Sequence, residues 1–330
     1  MLKVLECPGR FWIASIVERK FGRFHTVESI LEGKILKPAG WIVFGVMTSL
    51  CLVSSSWAAS YPNSQFLVEP AWLAGHLKDQ NLRVVDMRTD SKDYDKEGHI
   101  PGAIYLSVES IRAPVETGGF RLPTKSEGEK ILGNLGIAKE TMVVIYDDVG
   151  GLNGSRLFFT LDVFGHQRVA LLNGGIQAWK NAGLSLNHEI PKIKPRSYTT
   201  RVDLRKVATA EWIFQNLKNP NLSLVDARTP KEFRGEDVRA KRGGHIPGAR
   251  NIEWVQNLRE DKTFKSVKEL RALYETQGIT RDKVVVPYCQ THHRAAHMYF
   301  TLRLLGYEKI RGYDRSWAEW GNREDLPIER

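Results

Sequence analysis

Short apolar runs alternate with longer segments of mixed polarity along most of this chain. Four of the runs place valine, isoleucine or leucine at neighbouring positions, which is the pattern of strands buried on both faces. They are residues 84–86, 143–146, 224–226 and 284–288. Segments that begin at Trp72 and Trp212 and continue with apolar residues predict helices ahead of the first and third runs. Alternating strands and helices predict an α/β fold, a parallel sheet with helices on both faces.

The same pattern occurs twice in the chain. Each copy has a strand that ends in Asp-x-Arg, at 86–88 and 226–228, followed by the hexapeptide Gly-His-Ile-Pro-Gly-Ala, at 98–103 and 244–249. A motif present in both copies is more consistent with a structural role than with a catalytic one, so we expect both hexapeptide histidines to support the fold. The predicted division is residues 1–60 ahead of the domains, 61–186 for the first repeat, 187–206 for a linker and 207–330 for the second repeat.

An uncharged, mostly apolar run at residues 41–53 follows two lysines and precedes a stretch rich in serine and alanine at 54–60. This order is that of a secretory signal peptide, with cleavage expected after Ala58 or Ser60. The segment ahead of the run is long for a signal, and residues 38–59 could cross a bilayer, so a retained membrane anchor is the alternative. The sequence therefore predicts an exported protein of the bacterial periplasm, or one anchored in the inner membrane.

Cysteine occurs three times, at Cys7, Cys51 and Cys289. Removal of the N-terminal segment leaves Cys289 alone in an oxidising compartment, where it has no partner for an intramolecular disulfide. The formal net charge of +10 suits anionic substrates. The basic residues are dispersed, and no basic run with interleaved aromatic residues occurs, so we expect no nucleic-acid binding.

Cys289 lies where the apolar run at 284–288 meets a polar loop at 290–294 and then a predicted helix from Ala295. Backbone N–H groups and the positive end of the helix dipole converge on such a loop, so it binds anions and favours ionisation of a thiol. An ordinary cysteine with a pKa near 8.5 is only about 3% thiolate at pH 7, so this environment makes a thiol reactive. At the matching position the first repeat has Asp147, which cannot carry sulfur. We predict that the first repeat is catalytically inactive.

Together these features resemble the tandem rhodanese sulfurtransferases over residues 66–320. The markers are the paired Asp-x-Arg strand ends, the two hexapeptides, a cysteine loop in the second copy only, and Tyr-Asp-Arg-Ser-Trp-Ala-Glu-Trp at 313–320. The resemblance implies two tandem rhodanese-like domains, the first inactive, and a persulfide formed on Cys289. It also implies transfer of a sulfane sulfur from a small anionic donor such as thiosulfate to a thiol or cyanide, without a metal or an organic cofactor.

The loop departs from both donor signatures of this family. Members that use thiosulfate resemble one another in a basic residue directly after the cysteine, and members that use 3-mercaptopyruvate have small residues there. This chain has Gln290 and Thr291 instead. Family members also often have an arginine directly before the aromatic residue that follows the Asp-x-Arg strand, where this chain has Glu232 before Phe233.

Four further side chains are candidates for contacting the donor. Arg294 ends the loop and Arg234 follows the aromatic residue, so either arginine could supply the missing positive charge. His292 and His293 could donate hydrogen bonds to an anion or protonate a leaving group, since histidine titrates near neutral pH, or they could only shape the loop. With Gln290 and Thr291 they complete the predicted substrate-binding set. The loop contains no glycine, so a tight turn there would strain another residue.

Three other functions would use similar residues. A cysteine phosphatase or arsenate reductase has Cys-x5-Arg, a wider loop that accommodates a phosphoryl group, whereas Cys289 and Arg294 are spaced as Cys-x4-Arg. A metal site could use the thiol and three nearby histidines, including His297, although the spacing is not that of a closed zinc finger. A sulfur carrier would receive its persulfide from a partner protein in a sulfur relay and would react slowly with small donors.

Overall fold

The computed structural model describes residues 60–116 and 118–330. The predicted signal peptide or anchor, residues 1–60, lies outside the described residues except for Ser60. Among the described residues, no helix combines the length and the apolar character that crossing a membrane requires.

The first repeat is built on a parallel sheet. Its strands are β1 (Leu67–Val68), β2 (Leu82–Asp86), β3 (Ile104–Tyr105), β6 (Met142–Tyr146) and β7 (Val169–Leu172), with β4 (Ala113–Pro114) and β5 (Phe120–Arg121) forming a separate antiparallel pair. The sheet order is β1-β7-β6-β2-β3, and every neighbouring pair is parallel. The two central strands are the apolar runs expected from the sequence, since a strand buried on both faces needs apolar residues at successive positions.

Helices cover both faces of this sheet. They are α1 (Pro70–His76), α2 (Ser91–Lys96), α3 (Lys125–Asn134), α4 (Leu152–Val163) and α5 (Gly175–Asn181). Because successive strand residues point to opposite faces, Val85 and Ile145 pack in one core with α3 and α4, while Val84 and Val144 pack in another with α1 and α5. The helix starts follow capping rules; for example, Thr124 accepts the N–H of Glu127 in a reciprocal capping box.

The second repeat has the same topology. Its strands are β8 (Leu222–Asp226), β9 (Arg250–Asn251) and β10 (Val284–Tyr288), and its helices are α6 (Ala210–Asn216), α7 (Pro230–Phe233), α8 (Val267–Glu275), α9 (His293–Leu304) and α10 (Ser316–Trp320). The sheet order is β10-β8-β9, all parallel. Parallel bridges from Val285 to Ile310 and from Gly312 to Val207 continue it in the order seen in the first repeat. The predicted fold, two tandem parallel α/β domains, is confirmed.

The Asp-x-Arg strand ends make the same hydrogen bonds in both repeats. Arg88 donates to Asp86 at 2.9 Å and to the carbonyl of Gly98 at 2.9 Å. Arg228 donates to Asp226 at 2.6 Å and to the carbonyl of Gly244 at 2.7 Å. Each arginine therefore ties a strand end to its hexapeptide, which accounts for the occurrence of both motifs in both copies.

The hexapeptide histidines are packed into the fold, as their duplication predicts. His99 stacks on Tyr94 with ring centroids 3.8 Å apart, and His245 stacks on Phe233 at 3.6 Å. Nδ1 of each ring lies within hydrogen-bond distance of a backbone carbonyl, that of Tyr94 and that of Phe233 respectively. Both histidines therefore hold a turn against a short helix.

The two repeats pack through α4 and α9, which lie against each other on the inner faces of the two sheets. Phe158 of α4 meets Phe300 of α9 edge to face at 4.8 Å. Asp162 accepts hydrogen bonds from Tyr299 at 2.7 Å and from Lys206, at the end of the linker, at 2.6 Å. The linker itself adds backbone bonds to the first repeat, including Asp203 N–H to the carbonyl of Val163. The interface is therefore mainly apolar and is crossed by a few buried hydrogen bonds.

Candidate active site

Cys289 follows β10 directly and is a free thiol with 1% of its surface exposed. Its N–H donates to Ser316 Oγ at 3.2 Å, and its carbonyl accepts the N–H of Trp317 at 2.9 Å. The carbonyl of Gln290 accepts the N–H of Ala318 at 2.9 Å. The start of α10 therefore grips the first two residues of the loop. This contact is not predicted from the sequence, because residues 316–318 are distant from Cys289 in the chain and carry no charge.

His292 makes the turn that the glycine-free loop requires. Its φ is 56°, in the left-handed region that non-glycine residues rarely occupy. It stands immediately before α9, so the helix begins at His293 rather than at the predicted Ala295. The ring is fully buried against Phe159, with centroids 4.4 Å apart, and lies so close to Gly312 that a Cβ there would come within 2.6 Å of Nε2.

Both loop histidines are neutral at neutral pH. Burial, then the nearby Arg156 charge, holds the pKa of His292 well below its usual range. Burial, followed by the charges of Arg112 and Arg156, lowers the pKa of His293 to about 3. A neutral imidazole can donate one hydrogen bond, but it has no extra proton to give to a leaving group at pH 7. The structure therefore favours loop shaping over general-acid chemistry for this pair.

Arg294 is held by Glu232, the acid that replaces the arginine expected before Phe233. Nη1 and Nη2 of Arg294 donate to the two carboxylate oxygens at 2.6 and 2.8 Å. Glu232 is fully buried and also accepts the N–H and hydroxyl of Thr229, both at 3.1 Å. Burial opposes ionisation, but the bonds from Arg294 outweigh it and lower the pKa of Glu232 to about 2.

The pKa of Arg294 depends on both Glu232 and Cys289. Burial works against the Arg294 cation, but its hydrogen bonds to Glu232 and then the charge of Cys289 raise the pKa of Arg294. Arg294 therefore stays charged in the first turn of α9, and a carboxylate balances its charge. The Arg294 side chain does not point into solvent, since only 17% of its surface is exposed.

The remaining predicted contact residues lie around the loop with different partners. Gln290 donates from Nε2 to the carbonyl of Arg239 at 2.9 Å, and Thr291 is half-buried beside it. Arg234 is 53% exposed and pairs with Glu236 at 2.6 Å. Arg239 pairs with Asp237, and its Nε is 3.7 Å from Glu232. Arg239 is a second cation beside Glu232 that sequence reasoning missed, because it lies in a charged loop with no motif.

The sequence around this thiol is similar to that of known proteins. The sequence model of the rhodanese-like domain matches this chain twice, over residues 69–182 and 209–323. The chain belongs to the rhodanese family. Apart from residue 117, both matched segments lie within the described residues, and the second contains the whole loop around Cys289.

Relatives of this rhodanese-family protein match most of its length. It is 36% identical over 263 residues to the thiosulfate sulfurtransferase of Azotobacter vinelandii, covering 80% of this chain and 96% of that one. It is 37% identical over 284 residues to the sulfur carrier protein TtuD of Thermus thermophilus, covering 82% and 98%. The crystal structure of SseA from Escherichia coli, a 3-mercaptopyruvate sulfotransferase, matches with a TM-score of 0.69 and 26% identity, covering 77% and 99%. The protein is therefore a sulfurtransferase enzyme.

The first rhodanese-like domain has the same cradle, but its own carboxylate fills it. Oδ1 of Asp147 accepts the N–H groups of Val149 and Gly151 at 3.0 and 2.8 Å, and Oδ2 accepts that of Gly154 at 2.9 Å. These are the backbone donors that a bound anion would otherwise engage. The aspartate thus removes the nucleophile and also occupies the anion site of this domain.

His297, which sequence reasoning considered as a metal ligand, is engaged elsewhere. It is fully buried on α9, its Nε2 lies 3.1 Å from the carbonyl of Gly150, and its Nδ1 lies 3.4 Å from Asn257 Nδ2. Since the Asn257 amide can only donate there, Nε2 carries the proton and donates to Gly150. No cluster of three or more acidic, cysteine or histidine side chains in the described part of the chain is arranged to hold a metal ion.

Proposed function

We propose that this sulfurtransferase moves a sulfane sulfur from a small anionic donor, with thiosulfate as the preferred one, to a thiol or cyanide through a persulfide on Cys289. The observation that carries this proposal is the position of the thiol, which lies between the end of β10 and the first turn of α9, the turn that carries Arg294. The choice of thiosulfate is supported by the relatives that carry its name.

The reaction balances without a cofactor. The Cys289 thiolate attacks the outer sulfur of thiosulfate, a sulfur–sulfur bond forms, and sulfite leaves with the electron pair of the broken bond. Cyanide, or an acceptor thiolate, then attacks the outer sulfur of the persulfide. Thiocyanate or an acceptor persulfide departs, and the Cys289 thiolate is restored.

The loop residues have distinct proposed roles. Arg294, anchored by Glu232, offers a fixed cation beside the thiol and helps to hold the donor anion. Gln290, Thr291 and His293 are half-buried around the thiol and contact the donor as neutral groups, and His292 holds the turn. Arg234 contributes a weaker, solvent-screened charge because it is exposed and paired.

Intact-protein mass spectrometry after incubation with thiosulfate, and separately with 3-mercaptopyruvate, tests this proposal. We expect a gain of one sulfur mass with thiosulfate, loss of that mass on adding cyanide, and no gain in Cys289→Ser. Sulfur retained by the Cys289→Ser variant would overturn the assignment of the nucleophile. A faster gain with 3-mercaptopyruvate would overturn the assignment of the donor.

A second candidate function is that of a sulfur carrier loaded by a partner protein. The observation that favours it is the 37% identity to the carrier TtuD over nearly the whole of both domains. Competition between a persulfidated cysteine desulfurase and thiosulfate for loading Cys289 separates the two functions. Faster loading by the protein donor, at equal concentration, favours the carrier.

We also propose that the protein is exported, on the basis of the apolar run at 41–53 and the small residues that follow it. Cell fractionation with mass measurement of the recovered protein tests this. A periplasmic form that lacks about the first 58 to 60 residues supports signal cleavage, a full-length membrane form supports the anchor, and a full-length form in the cytosol overturns export.

A further inference from the structure

A buried arginine of the first domain reaches into the second domain close to the catalytic loop. Arg156 lies on α4 with 1% of its side chain exposed, and its Nη1 donates to Asp314 Oδ1 at 2.6 Å. Oδ2 of Asp314 accepts the N–H of Leu122, also from the first domain, at 2.5 Å. Both oxygens of this carboxylate are therefore held from across the domain interface.

Asp314 is the main counter-ion of Arg156. Nε and Nη2 of Arg156 are buried and have no hydrogen-bond partner among the described residues. A buried charge without its counter-ion is costly, so the two side chains hold each other in place. The position of Asp314 is consequently set by α4 of the first domain.

Asp314 leads directly into the segment that grips Cys289. Ser316 donates from Oγ to the carbonyl of Tyr313 at 2.7 Å while accepting the Cys289 N–H. Its φ is 50°, a strained value for a serine, and such strain persists only where the surroundings impose it. Asp314, which the first domain holds through Arg156 and Leu122, lies two residues ahead of this strained serine.

We propose that Arg156 is a positioning residue for Cys289, acting through Asp314 and Ser316, and that this is the role of the inactive domain in sulfur transfer. The inference rests on the proposed function of Cys289. A nucleophile displaced by about 1 Å can lose about 100-fold in rate, so a loop anchored from the neighbouring domain makes activity depend on that domain.

The double variant Arg156→Met/Asp314→Leu separates positioning from folding. Replacing both members of a buried ion pair with apolar residues of similar size often leaves stability unchanged, whereas removing one strands a charge. We expect thermal unfolding within a few degrees of the wild type. We expect the maximal single-turnover rate of persulfide formation from thiosulfate to fall by about 10-fold to 100-fold, with a smaller change in the half-saturating thiosulfate concentration.

Tyr299→Phe is the matched control. It removes another buried hydrogen bond between the domains, to Asp162, on the same pair of helices. We expect its single-turnover rate to stay within about 2-fold of the wild type, since this contact does not touch the segment that grips the loop. A double variant that folds and reacts at the wild-type rate overturns the proposal, and so does an equal loss of rate in Tyr299→Phe.

Two further measurements keep the test decisive. The rate of Cys289 alkylation by iodoacetamide is expected to change in the double variant but not in Tyr299→Phe, and it reports thiol placement even if Cys289 accepts no sulfur from thiosulfate. If the double variant does not fold, Asp314→Asn keeps one oxygen for Arg156 and loses the acceptor for Leu122. We expect a fall of about 3-fold to 10-fold in the persulfide rate, and a wild-type rate overturns the proposal.

Discussion

At the scale of single residues, His292 shows how the loop is made without glycine. Glycine reaches the left-handed region without steric cost, while a residue with a Cβ loses about 1 kcal/mol there. His292 occupies this region at φ 56° and recovers the cost through its fully buried ring. The ring packs on Phe159 of the first domain, so the turn and the domain interface are stabilised together.

The variants His292→Gly and His292→Ala isolate the backbone term, because they differ by one methyl group and both lose the ring. At an ordinary exposed helix position alanine is the more stable of the two. Here we expect the glycine variant to be more stable than the alanine variant by about 1 kcal/mol in urea-induced unfolding. Equal stabilities, or a more stable alanine variant, would show that the positive φ carries no strain.

The sequence supports the identification of Cys289 and leaves most of its neighbours hidden. An apolar run, a cysteine and a polar loop are contiguous, so their order alone predicts the nucleophile. Glu232 could be recognised as a departure from the family, but its partner Arg294 lies 62 positions away and only the fold brings them together. Ser316 lies in the family marker at 313–320, but the marker alone does not predict that its hydroxyl accepts the Cys289 N–H.

At the scale of elements, the two domains use one strand–loop–helix unit for opposite purposes. In the second domain the unit presents a thiol, and in the first domain Asp147 fills the cradle with its own carboxylate. The comparison predicts that the first cradle still binds anions once the aspartate is removed, since its backbone donors are already oriented.

The variant Asp147→Ala tests this directly. It leaves three backbone N–H groups without their acceptor, so we expect a loss of about 2 to 4 kcal/mol in unfolding free energy at low salt. Sulfate should then raise the melting temperature of the variant more than that of the wild type, because the anion replaces the carboxylate. Asp148→Ala, which removes the acceptor of the Thr89 N–H outside the cradle, is the control. Equal responses to sulfate in all three proteins would contradict the prediction.

Prediction of helices and strands from the sequence succeeded where the apolar pattern is long enough to recognise. The central strands are long apolar runs, and the observed β2 and β10 contain the predicted residues. The β4–β5 pair was not predicted, because two-residue strands have no period to detect. The start of α9 differs by two residues, since no sequence rule places a histidine in the left-handed region before a helix.

At the scale of the whole molecule, the interface between the domains buries groups that titrate. His297 on α9 contacts the carbonyl of Gly150 in the first domain, and Asp162, Arg156 and Asp314 lie at the same interface. The sequence does not predict this interface, because each repeat has its own full set of strands and helices. Only the packing of α4 on α9 shows that the first domain buries a histidine of the second.

Burial of His293 and His297 makes stability depend on pH in a defined window. Burial lowers the pKa of His297 to about 4, against about 6.5 in the unfolded chain. The unfolded state therefore binds more protons as the pH falls from 6.5 to 4, and the folded state loses stability throughout that window. For His297 alone the loss is on the order of 3 kcal/mol, and His293, with its pKa lowered to about 3, adds to it.

Chemical unfolding at a series of pH values between 7.5 and 4 checks this dependence. In His297→Gln we expect a lower unfolding free energy at pH 7.5, because the buried contacts change, but a shallower decline towards pH 4, because one linked proton is gone. The exposed His188→Gln is the control and should follow the wild type. Parallel declines in the wild type and His297→Gln would contradict the linkage. Between about pH 4.5 and 2 the unfolded chain binds a proton at Glu232 that the folded protein, with the pKa of Glu232 lowered to about 2, does not, so the decline should continue in every one of these proteins.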